Sequence, residues 1–187
     1  MNIVVLAGGY STERDVSLGS GSLIANALMK IGHRVLLLDS YEGIDIAGSE
    51  EYESLFSSDK TYSYAIPDHE PNLEKLKNSC DNGDSLIGKN VLDICKYADV
   101  VFIGLHGEIG ENGELQAVFD VLGIKYTGTG YLGSILAMDK ELTKKILVGT
   151  NVKVPKSICF NVNADDVNDV YGKIKFPCII KPCNRWV

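Results

Sequence analysis

The chain opens with an apolar run that two glycines stop. Residues Asn2 to Ala7 read NIVVLA, and Gly8-Gly9 follow. An unbroken apolar run of this length suits a parallel strand buried on both faces. After the glycines, Thr12 and Asp15 fit a capping box ahead of a helix. Val16, Leu23, Ala27, Leu28 and Ile31 then recur at helical spacing until Gly32 supplies a stop. HRVLLLD predicts a second strand. Strand, helix and strand in this order make a βαβ unit. Such units build an α/β fold: a mostly parallel sheet with helices on both faces.

The rest of the chain repeats the pattern after an interruption. Residues 41–98 form a variable excursion rich in acids, serine and tyrosine, with short helices expected near 70–78 and 88–97. ADVVFIGLHG returns the chain to a strand, Asp99 to Leu105. Leu115, Val118, Phe119 and Leu122 mark a helix that Gly123 ends. IKYTGTG predicts a short strand and turn, and Tyr131 to Met138 a helix. Asp139 can cap the next helix, which runs to near Gly149. VPKSICFNV and FPCIIKP predict strands around a helix at 164–173. The expected organisation is one domain over 1–138 and an incomplete second unit over 139–187.

Composition narrows the function classes. Among 187 residues, 45% are hydrophobic and 23% charged, a globular balance. The net charge of -7 disfavours nucleic acid or an anionic membrane as the main partner. No apolar stretch reaches membrane-spanning length, and the first residues lack the basic flank of a signal peptide. The cysteines, Cys80, Cys95, Cys159, Cys178 and Cys183, show no C-x-x-C spacing. They read as reduced thiols in a cytoplasmic protein rather than metal ligands.

Three places can carry chemistry. In an open α/β sheet, ligands bind beyond the carboxyl ends of the strands. LAGGYSTERDVSLGSGS occupies that place after the first strand, without G-x-G-x-x-G spacing. There Glu13 either tunes the helix end or binds a substrate ammonium, with Ser17 lining the pocket. In GLHGEIGENGELQ, His106 sits among glycines that allow close backbone approach. It is a solvated turn residue or a ligand contact, and Asn112 can cap the helix that follows. Glu108, Glu111 and Glu114 read as a solvated acidic turn. Lys140 opens a helix, and Lys181 ends an expected buried strand. Both suit an anion, and both can also be lysines whose stems lie on the surface.

Together, GGYSTERDVSLGSG, LHGEIGENGELQAVFDVLGIKYTGTG, LAMDKELTKKIL and FPCIIKPCN resemble the D-alanine–D-alanine ligase family, in that family's order. Only 41–98 lacks a recognisable signature. The resemblance implies a Rossmann-like N-terminal domain followed by the start of an ATP-grasp central domain. It implies ATP-dependent joining of two D-alanines through an acyl phosphate, with Mg2+ on the phosphates, for peptidoglycan synthesis. By resemblance, Glu13 holds the first D-alanine ammonium and is the catalytic acid of that subsite. Val16 and Ser17 line it, Ser17 being grouped with Glu13 as catalytic, and His106 lies near the D-alanine carboxylate. Lys140 and Lys181 bind the phosphates of ATP. A homodimer through the N-terminal domain is implied as well.

One departure carries its own expectation. Where the family continues after KPCN with a glycine- and serine-rich loop, this sequence has Arg185-Trp186-Val187. The expectation is a truncated ligase, inactive alone and without the metal-binding carboxylates. If Arg185 is encoded by CGG, a single inserted base accounts for these residues. Two rival readings remain: a dimerising or regulatory fragment, and a nucleotide-dependent oxidoreductase, which the missing fingerprint disfavours.

Overall fold

The computed structural model describes residues 1–161 and 167–183. The chain divides into two compact units, Met1–Ser134 and Ile135–Val187. The first contains β1 (Asn2–Ala7), α1 (Arg14–Lys30), β2 (Arg34–Asp39), a 3-10 turn at Ser49–Glu51, α2 (Tyr52–Leu55) and α3 (Leu73–Ser79). It continues with α4 (Val91–Tyr97), β3 (Val100–Ile103), α5 (Glu108–Glu111) and α6 (Glu114–Leu122). Helix α7 (Tyr131–Met138) leads into the second unit, which holds α8 (Lys140–Leu147) and α9 (Val167–Lys173).

The sheet has the order β2-β1-β3, and both pairs are parallel. Val4 stands opposite Leu36 on one side and Val101 on the other. Alternation sends successive β1 side chains to opposite faces. Ile3 and Val5 pack with Ala25 and Met29 of α1. Val4 and Leu6 join the larger cluster, with Ile94 and Cys95 of α4 and Leu115 and Phe119 of α6. Both faces of β1 are therefore covered, which is why its sequence is apolar throughout. Burial pushes the Cys95 thiol up to about 12.

Helix α1 has the expected extent, and Leu28 packs toward the core as expected, but most of the expected apolar positions face outward. Val16 is 48% exposed, Leu23 73% and Ile31 70%. The inward face is instead made of small residues, Ser17, Gly21, Ser22 and Ala25, with Met29. A Cβ on Gly21 would lie 2.7 Å from the Ala7 Cβ, so the helix sits against β1 more closely than a leucine face allows. The capping box is also absent. Glu13 takes the N-cap position with no side-chain cap, because Asp15 Oδ1 instead accepts from the Tyr64 hydroxyl.

The excursion over 41–98 is part of the core rather than an appendage. Phe56 and Val91 are buried in the larger cluster, and Tyr62 packs on the α1 side. Ser57 pairs antiparallel with Val35 in a single bridge. The IKYTGTG strand reduces to one parallel bridge, Val101 with Tyr126.

In the second unit, Asp139 caps α8 by accepting from the Glu141 and Leu142 amides at 3.0 and 2.8 Å. The two expected strands do not form among the described residues. Ile158, Phe176, Ile179 and Ile180 are 42%, 71%, 83% and 71% exposed. Strand propensity needs a neighbouring strand to act on, and neither segment pairs in a sheet. Lys181 therefore follows an exposed irregular segment, not a buried strand. Part of the expected 164–173 helix, and the reading of Arg185-Trp186-Val187, fall outside the described residues.

Candidate ligand site

The strand order creates the site. From β1 the chain crosses to β2 on one side, then returns to β3 on the other. The β1–α1 loop and the loop after β3 thus leave toward opposite faces and part beyond the strand ends. Such a switch point is where open α/β sheets bind ligands. A cleft lies there, lined by Gly8 to Ser11, Leu86, and Leu105 to Gly110.

Each loop is built around glycines that face an acid. Gly8 has φ +72, and a Cβ on it would lie 1.9 Å from Asp39 Oδ2. Asp39, at the end of β2, accepts from the Tyr41 and Glu42 amides at 2.8 and 3.0 Å. Its other oxygen meets Arg14 at 2.8 Å. Arg14 also binds Glu42 at 3.0 Å and donates to the Gly9 carbonyl at 3.1 Å. This nearly buried cation braces the loop that presents Glu13. Gly107, with φ +70, would place a Cβ 2.8 Å from Glu13 Oε2 and 2.9 Å from Ser11 Oγ. The Glu13 carboxylate therefore lies directly against the His106–Gly107 loop.

His106 is held from α1. Ser20 Oγ lies 2.9 Å from the Val16 carbonyl and 3.2 Å from that of Ser17. With its one proton given there, it accepts from His106 Nε2 at 3.1 Å. This network assigns the proton to Nε2. His106 Nδ1 then looks toward Glu111, 4.0 Å away. Asn112 Oδ1 accepts from the Glu114 amide at 2.9 Å, supporting the start of α6.

Ser17 departs from its expected role of lining the pocket or acting in catalysis. Its side chain is fully buried. It accepts from the Gly8 amide at 2.9 Å and donates to the Gly104 carbonyl at 2.7 Å. It positions the two loops and presents no surface to a ligand. Val16, by contrast, is half exposed on α1. Glu13, Val16 and His106 thus belong to one region of the first unit.

Lys140 and Lys181 belong to the second unit. The Lys140 amide donates to the Cys183 carbonyl at 2.8 Å, which ties the start of α8 to the segment carrying Lys181. Cys183 has a partner that spacing does not reveal: Cys159 Sγ is 3.2 Å away. Among the described residues, the one cluster of possible metal ligands is Glu141, Cys159 and Cys183. Thiols do not suit a hard cation such as Mg2+.

Sequence reasoning missed Arg14, Asp39 and Ser20. Arg14 and Asp39 carried a usable signal, since a charge beside a glycine loop at a strand end needs a partner. Ser20 carried none, because its contact spans 86 residues.

Fold and site together define an open, parallel α/β protein with a cleft at the β1/β3 switch point. A family model described as "D-ala D-ala ligase N-terminus" matches residues 2–129. The chain belongs to the D-alanine–D-alanine ligase family and contains its N-terminal part. It is 42% identical to a D-alanine--D-alanine ligase of Pediococcus pentosaceus, over 97% of this chain and 52% of that protein. A ligase of the same name from Lacticaseibacillus casei is 41% identical, over 97% of this chain and 51% of that protein. The chain thus spans about half the length of these relatives. The fold also matches a Bacillus anthracis D-alanine--D-alanine ligase crystal structure, with a TM-score of 0.62 at 24% identity. That match covers all of this chain and 47% of the other.

Proposed function

We propose that this chain supplies the first D-alanine subsite and two phosphate-binding lysines of an ATP-dependent D-alanine–D-alanine ligase. The observation that carries the reading is the meeting of Glu13 with the His106–Gly107 loop beyond β1 and β3. A D-amino acid presents an ammonium and a carboxylate on the same carbon. Glu13 would take the ammonium, beside Val16, and His106 would stand near the carboxylate. A solved Bacillus anthracis ligase of similar fold is described as complexed with ATP. Here Lys140 and Lys181 would bind phosphate oxygens, neutralising charge as phosphoryl transfer requires. The described residues do not fit Mg2+, since the one cluster of possible ligands among them is mostly thiol. The product would enter peptidoglycan synthesis, in the cytoplasm. Among the described residues, no helix is long and apolar enough to cross a membrane.

The test joins this chain, up to Cys183, to the C-terminal half of the Pediococcus relative. D-alanine-dependent phosphate release is expected, with Glu13→Gln reducing it by about 100-fold or more, as for a lost charge-assisted contact of about 3 kcal/mol. Unchanged turnover in Glu13→Gln overturns the assignment.

A homodimer through the first unit belongs to the same proposal. Leu23 of α1 and Ile31 just past its end are exposed, and burying them would suit a second copy. Light scattering of the chain should give a dimer that Leu23→Glu dissociates. A monomer at all concentrations refutes it.

A further inference from the structure

Two thiols in the second unit face each other from distant parts of the chain. Cys159 Sγ and Cys183 Sγ are 3.2 Å apart, and neither residue lies in a helix or strand. Cys159 is exposed and Cys183 half-buried. A carboxylate oxygen of Glu141, in the first turn of α8, lies within 4.8 Å of both sulfurs. Lys145 Nζ holds that carboxylate at 2.6 Å. The ligase reading uses none of these groups.

Their spacing decides between metal binding and sulfur chemistry. Two zinc–sulfur bonds of about 2.3 Å at a tetrahedral angle hold their sulfurs roughly 3.8 Å apart. The observed pair is tighter than that, and Glu141 is already engaged by Lys145. Closing to a disulfide needs only a short approach of the two sulfurs, to about 2.05 Å. We propose that Cys159 and Cys183 are a redox-active dithiol that low-molecular-weight disulfides convert to an intrachain disulfide.

The exchange balances with a small disulfide, RSSR, as oxidant. Cys183, as thiolate, attacks one sulfur of RSSR, and the Cys183–SR bond forms as RS⁻ leaves and takes a proton from water. Cys159 then gives its proton to water, its sulfur displaces the second RS⁻ from Cys183, and that RS⁻ takes a proton from water. Two electrons move from the protein to the small disulfide, which leaves as two RSH. Glu141 favours this order. Its hydrogen bond, with a further contribution from Cys183, pushes the Cys159 thiol up to about 12. Cys159 therefore stays protonated as the resolving group until Cys183 carries the mixed disulfide.

The bridge would fix the backbone at Cys183, whose carbonyl accepts the Lys140 amide at 2.8 Å. Lys181 lies two residues earlier. If the ligase reading holds, oxidation is felt at both phosphate lysines. The thiol chemistry itself stands without that reading.

The experiment treats the reduced 187-residue chain with oxidised glutathione and follows intact mass and tryptic peptides. The expected product has lost two hydrogens and carries no glutathione. Trypsin does not cut between Lys181 and Pro182, so Cys178 and Cys183 share a peptide. The bridge is therefore assigned in Cys178→Ser, which should still form it. Cys159→Ser should stall as a glutathione adduct on Cys183. Glutathione retained on Cys183 in the unmutated chain overturns the proposal, as does a bridge to Cys178. If the reduced chain instead holds zinc through Cys159 and Cys183 and resists oxidation, the pair is a metal site and the proposal fails. Urea-unfolded chain is the control: closure there at the native rate shows that the fold contributes nothing and also overturns it.

Discussion

The hydroxyl of Ser17 donates to the carbonyl of Gly104 at 2.7 Å, joining residues 87 positions apart. The same oxygen accepts from the Gly8 amide, so one small side chain fastens both cleft loops to each other. Ser17→Ala leaves a buried donor and a buried acceptor unpaired, and should cost about 1–3 kcal/mol. Urea unfolding of the single variant measures it. A change within about 0.5 kcal/mol, the range of an uninvolved surface position, would contradict the fastening role.

Glycines at different places should respond very differently to alanine. At Gly8 the added Cβ would meet Asp39 Oδ2 at 1.9 Å, on top of φ +72. At Gly32 the φ is +91 but no atom lies within 4 Å. Gly32→Ala should cost about 1 kcal/mol, the backbone penalty alone. Gly8→Ala should cost several times more or fail to fold, because Asp39 cannot retreat without releasing Arg14. Thermal melts of the two variants give the comparison.

The sequence made β1 and α6 legible for a simple reason. A strand covered on both faces must be apolar along its length, and a short helix with one apolar side declares its period. Helix α1 was legible in extent but not in facing. Close packing on β1 selects Ser17, Gly21 and Ala25, residues that no hydrophobicity pattern highlights. Leu23 was left for the outside, while Ile24 and Leu28 pack only at the edge of the core. The placement of Glu13 and His106 beyond strand ends was legible because each follows a buried strand. Their proximity needed the strand order, which no local pattern contains. The Cys159–Cys183 pair was illegible for the same reason.

Ser20 should hold the His106 tautomer. With the hydroxyl removed in Ser20→Ala, Nε2 loses its acceptor at 3.1 Å. The Nδ1–H form should then gain population, drawn by Glu111 on that side. Long-range nitrogen–proton NMR of the imidazole reads both forms directly. Identical tautomer populations in the variant would show that Ser20 does not position the ring.

Tyr64 makes a pH prediction. Burial first, and then its hydrogen bond to Asp15, raise this phenol from 10.0 to about 12. The folded chain therefore keeps the proton where the unfolded chain has lost it. The stabilisation is fully present below pH 10 and is lost as pH rises toward about 12. Tyr64 is 37% exposed, so solvent screening reduces the effect. Urea midpoints of the chain should fall more steeply than those of Tyr64→Phe across this alkaline range. Parallel curves would refute the assignment.

Gly21 has a consequence that reaches the far side of the cleft. Because its missing Cβ lets α1 touch Ala7, it fixes how the helix is rolled about its own axis. Ser20, the preceding residue, points toward His106 only at that roll angle. The glycine thus works as an indexing notch: a single methyl group there would turn the shaft and swing the serine off its mark, without altering any residue that meets a ligand.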